Sequence, residues 1–204
     1  MDIIVVAYFI IIFFSIVVHE VSHGEAAFML GDDTAKRLGR LSFNPIKHVD
    51  LVGTILVPAF CLLLRAAGFG MLVFGWAKPV PINPINLKEP QKDLAKISFA
   101  GPLSNIMLAI MVGVLVRLNG LLSFSPVVIQ LFIFTIYINL FLAFINLIPI
   151  PPLDGSKILF YFLKNRKIEM FFHQYRFVLF FAIWLLIQPI ANITMILTSF
   201  IAGV

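Results

Sequence analysis

Apolar residues in this chain gather into four blocks long enough to cross a lipid bilayer, separated by stretches where charge, proline and glycine concentrate. The blocks run roughly over 3–30, 94–118, 126–148 and 174–203, and about 20 apolar residues suffice for one helical crossing. A fifth run, 51–64, is shorter and contains Gly53 and Pro58. Runs of that length more often re-enter or lie along the interface than span. Between 39 and 85 the helical period is broken by Pro45, Pro58, Pro79, Pro81 and Pro84, and the stretch from Gly70 to Pro81 reads as extended backbone. A strand edge facing lipid would leave backbone groups unpaired, so this stretch is expected to pair or to line a protein cavity. The pattern predicts an all-α polytopic membrane protein. It has about four transmembrane helices, a re-entrant segment and a small membrane-associated β-hairpin region, all in one domain over 1–204 with no internal repeat.

Composition sharpens this picture. Hydrophobic residues make up 61% of the chain and the mean hydropathy is +1.03, so no stretch is polar enough for a separate soluble module. The formal net charge of +5 does not point to nucleic acid, because the cations sit in short loops beside apolar blocks. Lys36, Arg37, Arg40 and Lys47 precede the 51–64 run, and Arg65, Lys78, Lys88, Lys92 and Lys96 follow it. If that run does not cross, both groups share one side with Lys157, Lys164, Arg166, Lys167 and Arg176, and only Arg117 stands opposite. The positive-inside rule selects that topology, with both termini outside. Only Asp2 precedes the first block, which is expected to be a permanent helix and not a cleaved leader. Cys61 has no second cysteine to pair with and reads as a small core residue.

The chemistry begins at the end of the first block, with His19-Glu20-Val21-Ser22-His23. The H-E-x-x-H spacing puts two imidazoles one helical turn apart on one face, where both reach one metal ion. Glu20 lies about 100° round the helix from His19, placed to act as general base for a metal-activated water. Ionisable groups at the end of an uncharged apolar block are functional-site candidates by default. The motif therefore points to a zinc-dependent hydrolase with its site inside the bilayer, toward the cytoplasmic end of the first helix.

Catalytic zinc normally takes three protein ligands and a water. A third histidine in the metzincin spacing is absent, since Ala26 and Met29 occupy the relevant positions, and the chain has only ten carboxylates. Between Asp93 and Glu169 there is one, Asp154, in Asn146-Leu147-Ile148-Pro149-Ile150-Pro151-Pro152-Leu153-Asp154-Gly155. Its three prolines break the third block and leave backbone groups to be satisfied within protein or by water. Asp154 is either the third ligand or the N-cap of the next helix, and a zinc site lacking a ligand favours the former. Asn105 and Asn146 also fall within apolar blocks. Each is a candidate to hydrogen-bond substrate or a developing oxyanion, or to join helices. His48 is either a neighbour of the metal site or a loop residue at headgroup level.

Taken together these motifs resemble the site-2 protease family of intramembrane zinc metalloproteases. The H-E-x-x-H is His19 to His23, the family's N-x-x-P-x-x-x-x-D-G falls on Asn146, Pro149, Asp154 and Gly155, and its G-P-x-x-N on Gly101, Pro102 and Asn105. Phe74 to Pro81 looks like the stretch that precedes that element in small bacterial members. The resemblance implies one zinc ion on His19, His23 and Asp154, water activation by Glu20, and help from Asn146 with the tetrahedral intermediate. It also implies transmembrane substrates in a bacterial cell membrane, cut in or near their spans in regulated intramembrane proteolysis, with strand addition onto 70–85. The PDZ or CBS domain of many members is not found. An inactive binding relative and a metal transporter are the competing readings; retained Glu20 speaks against the first, and the lack of a repeat against the second.

Overall fold

The computed structural model describes residues 3–69 and 75–203. Among them are nine α-helices: α1 (Ile3–Met29), α2 (Thr34–Arg37), α3 (Val57–Ala66), α4 (Pro90–Arg117), α5 (Asn119–Leu122), α6 (Pro126–Asn146), α7 (Asp154–Leu163), α8 (Arg166–Gln174) and α9 (Arg176–Ala202). Four are long and apolar enough to cross a membrane: α1, α4, α6 and the Phe181–Ala202 part of α9. The expected blocks hold to within a few residues. Helix α4 starts earliest relative to its block, at Pro90, because proline suits the first helical position and Asp93 favours the first turn.

Helix α4 is the central element and packs against α1, α6, α7 and α9. Its buried small residues Gly101, Ala109 and Gly113 let neighbours approach closely. In its C-terminal half, Ala109 and Val116 meet Ile136 and Leu140 of α6 and Ala202 of α9 in one apolar core. Near its start, Ile97 packs with Ala27 of α1 and Leu87. The remaining faces are apolar and exposed, as at Phe9, Ile10, Met107, Met111, Phe181 and Leu185, which suits helices solvated by lipid.

Between α1 and α4 the chain builds a layer without strands among the described residues. The expected hairpin is not seen there: residues 75–83 run as irregular backbone, and 70–74 lie outside the described residues. Pro79 and Pro81 cannot donate to a ladder. The alternate amides of this stretch are bonded inward instead, Trp76 N–H to Gly53 O at 3.1 Å and Lys78 N–H to His48 O at 2.9 Å. The 51–64 run is helical, a wide turn over Leu51–Leu56 followed by α3. His48 is a loop residue outside the cluster of potential metal ligands. It is fully buried, and its Nε2 donates to Ser42 O at 2.8 Å, so that it fastens the layer.

Asp32 anchors the same layer to α1. Its carboxylate accepts Asn83 N–H at 2.6 Å, Asn86 Nδ2 at 2.7 Å, and both the amide and hydroxyl of Thr34. Burial pushes this carboxyl up, but the hydrogen bonds from Thr34, Asn83 and Asn86 outweigh it and hold it below the ordinary carboxylate range. A depressed carboxyl contributes stability above its unfolded pKa of about 4 and loses it as pH falls through the folded value. Acidification below about pH 4 should therefore lower the melting temperature of the wild type more steeply than that of Asp32→Asn. A thermal-shift series in detergent reads both slopes, and equal slopes would remove Asp32 from the acid response.

Candidate metal centre

His19 and His23 lie one turn apart in the C-terminal half of α1, about 10–15 Å along the axis from its end at Met29. Both are more than nine-tenths buried, with ring centroids 4.6 Å apart and planes at 87°. Helix α4 closes over them. A side chain at Gly101 would begin 2.5 Å from His23 Cε1 and 2.7 Å from His19 Cε1, so only glycine lets α4 lie against both rings.

Asp154 reaches this point from 131 residues further along the chain. It is the first residue of α7, which packs on α4. Gly155 makes the turn possible, because a Cβ there would strike the backbone of Leu147 and Ile148. Asp154 Oδ2 stands 3.2 Å from His19 Nε2 and 3.1 Å from His23 Nε2, and the two nitrogens are 3.0 Å apart. The other carboxylate oxygen faces Lys157 Nζ at 3.4 Å.

The donor set fits a metal ion. His23 Nδ1 lies 2.7 Å from the carbonyl of Ile97, and His19 Nδ1 lies 2.6 Å from Asn105 Oδ1. Each acceptor fixes the ring proton on Nδ1 and leaves Nε2 as a lone pair. With both rings neutral, two Nε2 lone pairs and a carboxylate oxygen face one another, an arrangement that a cation among them would satisfy. Ligand atoms at zinc distances of about 2.0–2.1 Å in tetrahedral array are about 3.3 Å apart, close to the separations found. His19, His23 and Asp154 are the residues brought together.

The other candidates stand differently. Glu20 is half-buried and outside the cluster, and its Oε2 accepts the amide of Val80 at 2.8 Å. Asn146 donates to Leu142 O of its own helix at 2.9 Å. Asn105 has no donor left for a substrate, because Nδ2 is engaged by Ser15 O at 3.2 Å and Asn139 Oδ1 at 2.8 Å. Asn139 and Ser15 escaped the sequence reading, and Lys157 figured there only as a loop cation. Asn139 carried the same signal as Asn105, a carboxamide inside an apolar span; Ser15 and Lys157 carried none.

The bundle and its buried donor set define a helical membrane protein with a candidate metal centre. Residues 115–187 match the model of Peptidase family M50, a segment that contains Asn146 and Asp154 but not His19 to His23. “Putative zinc metalloprotease YwhC” of Bacillus subtilis is 42% identical over 151 residues, covering 71% of this chain and 64% of that protein. “Putative zinc metalloprotease MJ0611” of Methanocaldococcus jannaschii is 46% identical over 66 residues, covering 31% and 32%. “Putative zinc metalloprotease Rip2” of Mycolicibacterium smegmatis is 27% identical over 146 residues, covering 69% and 51%. The matches thus span less than two thirds of each relative's length. No solved structure matches the chain. The resemblance to the site-2 protease family is borne out by this M50 match and by relatives bearing the zinc metalloprotease name.

The packing of Gly101 makes a direct prediction. Gly101→Ala is expected to weaken zinc binding by about 10–100-fold, the range for disturbing what surrounds a ligand, while helicity by circular dichroism stays unchanged. Wild-type affinity in that variant would show that α4 does not set the ring positions.

Proposed function

We propose that this chain is an intramembrane zinc metalloprotease, hydrolysing peptide bonds in or near the transmembrane segments of other membrane proteins in regulated intramembrane proteolysis. The observation that carries this reading is the convergence of His19, His23 and Asp154 on one point, with Glu20 next to His19 in the chain and outside that cluster. The family match and the relatives' names support it. His19, His23 and Asp154 would hold one zinc ion per chain, within a single domain over 1–204. The distribution of cations supports a cytoplasmic-side site in a bacterial cell membrane, with 51–66 re-entering from that side.

Zinc bound there would supply Lewis acidity toward the scissile carbonyl and lower the pKa of a water. Val80 N–H holds Glu20 Oε2, which leaves Oε1 to take the water's proton and return it to the leaving amine nitrogen. Asn146 donates one hydrogen to Leu142 O, and its second N–H is available to a developing oxyanion. Asn105, with both hydrogens engaged, holds His19 and takes no part of that kind. A helical substrate must first unwind, because its carbonyls are already bonded. The amides of Trp76, Lys78 and Val80 point into the protein, so an unwound chain would pair along the opposite edge, at Ala77.

Glu20→Gln is the decisive variant. It is expected to keep about one zinc per chain and to lose cleavage of a single-span protein in proteoliposomes by at least about 100-fold. Substantial proteolysis remaining would sink the assigned role of Glu20. Zinc loading with no cleavage by the wild type, across a panel of single-span proteins, would favour a binding protein over a protease.

A further inference from the structure

We infer that Asn139, together with Ser15, is a positioning residue for the metal centre: the pair holds Asn105 in the one orientation that keeps the His19 proton on Nδ1. This rests on the reading of His19, His23 and Asp154 as metal ligands. Asn139 lies in the middle of α6, outside every motif that pointed to the site.

The argument is one of polarity. An asparagine amide can be turned end for end with little change of shape, so its direction has to be set by neighbours that cannot swap roles. Here two backbone carbonyls do so, since a carbonyl only accepts. Asn139 Nδ2 donates to Thr135 O at 2.9 Å and to Ser15 Oγ at 2.9 Å, which turns Asn139 Oδ1 toward Asn105. Asn105 Nδ2 donates to that oxygen at 2.8 Å and to Ser15 O at 3.2 Å, which turns Asn105 Oδ1 toward His19. That oxygen, 2.6 Å from His19 Nδ1, requires a proton on this nitrogen. Every carboxamide hydrogen in the chain of bonds is used, and Asn139 and Asn105 are fully buried.

Reversing Asn105 would set its oxygen against Ser15 O and Asn139 Oδ1, three acceptors with no proton among them. Its nitrogen would then face His19 Nδ1 and drive the ring proton to Nε2, the atom that meets Asp154 and His23. The α6 asparagine thus selects the metal-competent tautomer two bonds away. Interhelical fastening, the usual work of an intramembrane asparagine, needs no such direction: it would be served by any pair of bonds joining α1, α4 and α6.

The two roles separate in experiment. Asn139→Leu keeps the bulk and removes the polarity. Asn139→Asp keeps the oxygen facing Asn105, and a buried carboxyl stays protonated and supplies a donor. On the full chain in detergent, zinc affinity is measured by competition with a chelator. The melting temperature of the metal-free protein and the 15N shifts of His19 are followed alongside. Expected are about 10–100-fold weaker zinc binding in Asn139→Leu, an unchanged metal-free melting temperature, and loss of the single Nδ1–H signature. Asn139→Asp should stay near wild type in all three. The inference is overturned by wild-type affinity and tautomer in Asn139→Leu, or by equal weakening in both variants that tracks a lower metal-free melting temperature. If Asn139→Leu does not fold, Asn139→Ala, which removes the oxygen facing Asn105 with less bulk, carries the same tautomer readout. A wild type that binds no added zinc would instead defeat the metal-site reading, while its 15N spectrum still reports the tautomer.

Discussion

Three electron-pair donors facing one another inside an apolar bundle are the constraint on which this structure turns. An unpaired charge removed from water costs several kcal/mol even after relaxation, and lone pairs aimed at lone pairs add repulsion. The chain meets this by surrounding His19, His23 and Asp154 with groups of fixed role. Ile97 O and Asn105 Oδ1 take the Nδ1 protons, and Lys157 faces the outer oxygen of Asp154. What is left uncompensated is the space among the three facing atoms, and a divalent cation is the compensation it suits.

That arrangement explains why α4 is central. It contributes Gly101 as a floor for both rings, Ile97 O as a partner for His23, and Asn105 as a partner for His19. The C-terminal half of the same helix packs apolar residues against α6 and α9. One helix therefore joins a half that is held by shape to a half that is held by directed hydrogen bonds.

Much of this was legible in the chain itself. The four spans announced themselves because an apolar block in lipid has few alternatives to a helix. The H-E-x-x-H pair is local, so its geometry follows from helical pitch alone. Asp154 could be found by elimination, since carboxylates are so few. The layer between α1 and α4 was harder to read. Residues around Trp76 look like a strand in composition, yet their amides are taken by single partners scattered along the chain: Gly53, His48 and Glu20. No periodicity encodes such pairings. The burial of His48 was hidden for the same reason, because it depends on a loop folding over it. Asn139 was overlooked beside Asn105 because its importance lies in direction, and direction appears only once Thr135 O and Ser15 are in view.

The close fit of Gly101 against the imidazoles has a kinetic side. Helix α4 is seated on the rings and Asp154 begins α7, while on another side Glu20 stands half-buried and bonded to Val80. Anything small that reaches the donor atoms by way of Glu20 passes the 75–80 segment. The rate at which a chelator strips the ion, as distinct from how tightly the ion is held, therefore becomes a clock for the motion of the 75–80 segment.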